Sequence, residues 1–161
     1  MLFFFTFLAF VIGCAIGSFI SVLTYRLHRE EGGSLTGRSH CVECKTKLKP
    51  LDLVPILSFL VLRGKCRYCS KEISYMYPLM ELITGALFAL FYVKFQIFDS
   101  QLIFSEINFG LWLLYVFYTF ILVFTFFYDL HYMHVADGIL LPGILVGLIA
   151  TIAAPYTPHI F

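Results

Sequence analysis

The sequence predicts an all-α fold: a polytopic helical membrane protein of four transmembrane helices, with a small cytoplasmic four-cysteine insert of the zinc-ribbon kind. Three observations carry this prediction. Hydrophobic residues make up 60% and aromatic residues 19% of the 161 residues, and mean hydropathy is +0.89, whereas soluble domains use roughly 45–50% apolar residues. The apolar residues gather into four runs close to the roughly 20 residues that cross a bilayer. Between the first and second runs lies a charged stretch with two Cys-x-x-Cys pairs. The domains follow as residues 1–24 (first transmembrane helix), 25–77 (insert) and 78–161 (three-helix membrane portion).

The first span, residues 1–23, holds no charge. A cleavable signal peptide carries its positive charges before the apolar region, whereas Arg26 and Arg29 come after it, so the segment reads as a retained anchor with its N-terminus outside. Gly13, Ala15, Gly17, Ser18 and Ser21 suit close helix packing in lipid. Cys14 among them reads as a small packing residue.

Ten of the eleven Lys and Arg residues fall between Arg26 and Lys71, leaving only Lys94 outside. Such a bias places the insert on the cytoplasmic side. Nucleic acid is a poor partner for this cluster, because Glu30, Glu31, Glu43, Asp52 and Glu72 dilute it. Cys41 with Cys44 and Cys66 with Cys69 form two knuckles separated by 21 residues. Four thiolates in two such pairs make a closed tetrahedral set for structural zinc. Two redox-active pairs, or two disulfides, are the alternatives, and a reducing cytosol favours zinc. Residues 53–62 (LVPILSFLVL) are too short to span, which leaves a core for the metal domain or a segment on the membrane surface.

Pro78 opens the second span, residues 79–95, which carries Glu81 near its cytoplasmic boundary. An intramembrane carboxylate is a functional candidate, with an interfacial or insert-paired carboxylate as the plainer reading. Residues 94–106 form an outer connection. The aromatic-dense third span, residues 107–128, packs against lipid and neighbouring helices. A short cytoplasmic turn, residues 129–137, carries Asp129, His131, His134 and Asp137, and a fourth span, residues 138–154, contains Pro142. This topology brings the knuckles, Glu81, Asp129 and Asp137 to one face of the membrane. A carboxylate at a membrane boundary, such as Asp129, is a candidate for acid–base chemistry, although taken alone Asp129 reads as an ordinary helix-end carboxylate. His131 and His134 read as interfacial residues rather than metal ligands.

The stretches GSFISVLTYRL (17–27), RSHCVEC (38–44), LVPILSFLVLRGKCRYC (53–69), YPLMELITG (77–85) and DLHYMHVADGILLP (129–142) resemble, in order and spacing, the type IV prepilin peptidases. These are the bifunctional leader peptidases and N-methyltransferases of pilus, type II secretion and competence systems in the bacterial inner membrane. The resemblance implies a membrane-embedded aspartyl protease acting on prepilins or pseudopilins, with Asp129 as the first of two catalytic aspartates. It also implies Cys41, Cys44, Cys66 and Cys69 as zinc ligands and S-adenosylmethionine as methyl donor. Three departures stand out. The Gly-x-Gly-Asp that supplies the family's second aspartate is absent from these residues, Ser21 replaces the usual Asn, and Ala136 replaces the usual Pro. An aspartyl dyad needs two carboxylates sharing a proton, so this stretch alone is expected to be inactive. Asp137 is an improvised partner at best, and Glu81 a supporting group. Two expectations follow. One is the N-terminal half of a peptidase completed by further sequence or a second chain. The other is a binding module that docks leaders, or a partner chain carrying the missing half, without cleaving.

Overall fold

The computed structural model describes residues 2–28, 38–95, 97, 105–133 and 137–153. Its elements are α1 (Leu2–His28), a 3-10 turn (Pro50–Leu53), a short α2 (Leu57–Val61), α3 (Met76–Phe95), α4 (Glu106–Tyr132) and α5 (Asp137–Ala153). Helices α1, α3 and α4 are long and apolar enough to cross a membrane. Helix α5, at 17 residues, is a shorter fourth helix at the low end of the spanning range, and it continues through Pro142.

The central pair is α1 with α3, and glycine sets how close they come. A Cβ added at Gly13 would lie 2.7 Å from Gly85 Cα, and one at Gly17 would lie 2.8 Å from Glu81 Cα. The backbones therefore touch where side chains normally stand, which is how small residues associate helices without a hydrophobic drive from water. Advancing four residues on α1 retreats four on α3, so the helices run antiparallel. Cys14 packs in this seam, its Sγ 2.5 Å from where a Gly85 Cβ would fall. Ala15, by contrast, is exposed.

Helix α4 closes the bundle. Ile20, Leu23, Met80, Val123, Phe124 and Phe127 form one buried cluster from all three helices, while Ala9, Tyr92 and Ile97 form another, backed by Phe5 and Trp112. The Trp112 indole donates to the Phe88 carbonyl at 3.5 Å. The buried hydroxyls of Thr24, Thr84 and Thr119 each donate to their own helix, to Ile20, Met80 and Tyr115 carbonyls, so none costs an unmade bond in an apolar setting. Helix α5 leans on α4 through Gly143 against Ile121 and Gly147 against the Tyr118 hydroxyl.

The helices outrun the apolar segments. Helix α1 continues through Arg26 to His28, and Pro78 lies within the first turn of α3 rather than ahead of it. Helix α4 runs through residues 129–132 before Met133, at φ 53°, caps it and donates its N–H to the Asp129 carbonyl at 2.7 Å. Asp129 and His131 thus occupy a helix end, where a turn was expected. The His28 and Tyr132 rings stack with centroids 3.6 Å apart, which brings the C-termini of α1 and α4 to the same end of the bundle.

Candidate metal centre and adjoining cavity

The two knuckles repeat one hydrogen-bond pattern. In the first, Lys45 N–H donates to Cys41 O at 2.9 Å and Cys41 N–H to Thr46 O at 3.0 Å. In the second, Ser70 N–H donates to Cys66 O at 2.9 Å and Cys66 N–H to Lys71 O at 2.8 Å. Each tight turn carries a residue of positive φ just after its second cysteine, Lys45 at 56° and Ser70 at 57°. Single bridges, His40 with Lys47 and Lys65 with Glu72, close each turn at its base.

This repetition aims all four sulfurs inward. The Sγ atoms of Cys41, Cys44, Cys66 and Cys69 lie within 4.8 Å of one another, and Cys41 and Cys69 are 3.9 Å apart. A tetrahedral zinc–thiolate centre, with bonds of about 2.3 Å, has sulfur–sulfur edges of about 3.8 Å, so the donor set fits such an ion in both chemistry and size. None of the five cysteines is disulfide-bonded. The thiols are unequal. Hydrogen bonds from the Thr46 hydroxyl and amide pull Cys44 down to about 6. For Cys69 the Lys71 amide favours the thiolate, but burial and proton sharing with Cys66, Cys44 and Cys41 outweigh it and push this thiol up to about 11. Burial works against the Cys66 thiolate, and the Tyr68 and Cys69 amides outweigh it, so its pKa falls.

Asp52 braces the knuckles. Its Oδ1 lies 2.7 Å from Arg67 Nε, and its Oδ2 accepts from Tyr68 OH at 2.9 Å and Lys49 N–H at 3.1 Å. Burial alone would raise this carboxyl, but the Lys49 amide, the Tyr68 hydroxyl and the Arg67 guanidinium hold it below the usual carboxylate range.

Glu81 pairs with the insert, through a backbone amide rather than a basic side chain. It is 8% exposed, and its Oε2 accepts the Ile56 N–H at 2.7 Å. Ile56 has φ 60° and ψ −51° and sits at the centre of a γ-turn closed by Leu57 N–H donating to Pro55 O. A β-branched residue in this region is strained, and Glu81 holds it there. Between the insert and the α1–α3 pair lies a cavity of about 370 Å³ whose walls include Ser18, Ser21, Tyr25, Phe59, Tyr77 and Glu81. This cavity had no sign in the sequence, since its walls come from three separate stretches.

Among the described residues, Asp129 is exposed and is not part of that cavity's wall. Through the His28–Tyr132 stack it stands at the same end of the bundle as the insert. His131 is exposed on the same helix end. His134 and the Asp137 side chain lie outside the described residues.

The family description "Bacterial Peptidase A24 N-terminal domain" matches residues 11–95. Several curated proteins carrying the name prepilin leader peptidase/N-methyltransferase are similar to this chain. One from Neisseria gonorrhoeae is 30% identical over 94% of this chain and 57% of its own length. One from Bacillus subtilis is 41% identical over 55% of this chain and 35% of its own length, and one from Klebsiella pneumoniae is 44% identical over 50% and 38%. The matched regions thus amount to between 35% and 57% of these relatives' lengths. No solved structure matches.

Proposed function

Because this chain belongs to the family of the bacterial peptidase A24 N-terminal domain, we propose that it is the N-terminal portion of a prepilin leader peptidase and N-methyltransferase serving pilus assembly, type II secretion or competence. The observation that carries this reading is the coincidence between the matched stretch, residues 11–95, and one physical unit. That unit is most of α1, the four-thiolate insert and α3, fastened together by the glycine seam and the Ile56–Glu81 bond.

In this proposal Cys41, Cys44, Cys66 and Cys69 hold a structural zinc ion that fixes the fold of the insert. The insert and the C-terminal end of α4 face the cytoplasm, in keeping with the positive-inside bias. A prepilin presents a basic leader followed by an apolar helix, so the bond to be cut meets the enzyme where that helix leaves the membrane, the level of Asp129. Asp129 acts in activating water as half of a carboxylate pair, one member general base and the other general acid. Its partner is the aspartate of a Gly-x-Gly-Asp, a motif these 161 residues do not contain. The cavity beside α1 is of the size that takes small molecules. Its Tyr25, Tyr77 and Phe59 rings, near the Glu81 and Asp52 carboxylates, suit a flat base and a cationic sulfonium, as S-adenosylmethionine carries. That cofactor, when bound, supplies the methyl group.

The test is co-expression of this chain with a separate chain carrying the membrane spans and Gly-x-Gly-Asp of a relative, with conversion of prepilin to its mature form as the readout. Cleavage is expected only with both chains, and Asp129→Asn should lower it by about 10³-fold or more, as befits groups that act as a unit. Cleavage unaffected by Asp129→Asn would overturn the catalytic assignment. A stable complex that binds prepilin but cleaves none would point instead to a docking module.

A further inference from the structure

We propose that α2 is a membrane foot, with Leu57, Leu60 and Val61 resting in the acyl-chain layer of the bilayer beside the transmembrane helices. The depth follows from the helix register. Gly17 meets Glu81 across the α1–α3 seam, and Arg26, the first charged residue of α1, lies 9 residues further along the same helix. At 1.5 Å per residue, Glu81 is thus about 13 Å membrane-ward of Arg26. It is also five residues inside the start of α3 at Met76, again about 7 Å below the helix end. The 2.7 Å bond from Ile56 N–H to Glu81 holds the insert's backbone at that depth, and α2 begins at the next residue.

The face presented there is apolar. Positions 57, 60 and 61 share one side of a helix by their spacing; Leu57 is 60%, Leu60 64% and Val61 75% exposed. Ser58, Phe59 and Leu62 turn the other way, into the cavity wall. Backbone at membrane depth persists only if its polar groups are satisfied within the protein, and most N–H groups of this turn are. Ile56 N–H donates to Glu81, and the N–H groups of Leu57, Ser58, Leu60 and Leu62 donate to the carbonyls of Pro55, Val54, Ile56 and Ser58. Glu81 thereby completes a turn that lipid would not tolerate open. Arg63 and Lys65, both exposed, follow directly and meet the headgroup layer, where basic residues are favoured. The occupant is the bilayer because the surface continues into lipid: Leu79 and Leu82 of α3, at the level of Glu81, are 44% and 49% exposed on a helix that itself crosses the membrane.

The experiment uses the full chain in vesicles of phosphatidylcholine and phosphatidylglycerol. Trp112 is the sole tryptophan, so Trp112→Phe provides a silent background for Leu60→Trp, Val61→Trp and, as a control on the knuckle, Val42→Trp. For the two foot positions, emission should be blue-shifted and quenched about twofold by lipids brominated near the top of the acyl chains, as for residues at the headgroup–acyl boundary. The control should be quenched by aqueous iodide instead. Solvent-like emission quenched by iodide at both foot positions would overturn the proposal. So would blue-shifted emission that brominated lipid leaves unquenched, because another protein surface would then cover the foot.

Discussion

At the scale of single residues, the knuckles show how a symmetric fold yields unequal chemistry. Thr46 follows the first pair and offers both hydroxyl and amide to Cys44, whereas Cys69 must share protons with its three neighbours. In metal-free protein at pH 7, Cys44 is therefore the thiolate and Cys69 the thiol. Iodoacetamide, which attacks thiolates, should modify Cys44 first. Its rate should rise with pH through about 6, and that of Cys69 only towards about 11. Peptide mass spectrometry across a pH series reads this order directly, and equal rates at all four sites would contradict it. The quartet itself was legible in the sequence, because Cys-x-x-Cys is a local spacing. The role of Glu81 was not: its partner is a backbone amide 25 residues away, and an amide leaves no mark in a residue pattern. The strain at Ile56 was equally silent, since nothing about an isoleucine announces positive φ.

Helix α1 is the element on which the fold turns, and its glycines decide whether it pairs with α3. A side chain at Gly13 meets Gly85 Cα at 2.7 Å and the Thr84 carbonyl at 2.8 Å, backbone atoms that move only if the helices part. Gly13→Val should therefore destabilise the bundle by about 1–3 kcal/mol, the usual range for forced overpacking. Gly110→Ala, with nothing within 4 Å of the new methyl, should leave the thermal midpoint in detergent unchanged. Equal behaviour of the two variants would remove the seam from the argument. The seam was partly readable, because Gly13 and Gly17 stand one helical turn apart in an apolar run, although Ala15 from the same small-residue group faces outward. The helix ends were less readable. Arg26, Asp129 and His131 look like loop residues because they are polar, yet hydrogen bonding carries α1 and α4 past the apolar limit.

For the whole molecule, the charges are distributed so that orientation is decided almost entirely by the insert. Ten of eleven basic residues lie in one segment, so reporter fusions at Lys49 should behave as cytoplasmic and fusions at Glu106 as external. Both on one side would overturn the topology. Four apolar helices with the insert after the first were visible in hydropathy alone, although the fourth, α5, is shorter than the other three. The cavity was not, since Ser18, Phe59 and Tyr77 meet only after the insert folds back along α1.

The Ile56–Glu81 bond also imposes an order on biogenesis. The chain emerges from the ribosome N-terminus first, and the last cysteine of the quartet precedes Glu81 by 12 residues. All four cysteines are thus in the growing chain before the residue that fastens the insert to α3 has been made. Ile56 stays free to relax until α3 follows. The strained turn at Ile56 is therefore the last part of the insert to find its partner, since that partner belongs to the following helix.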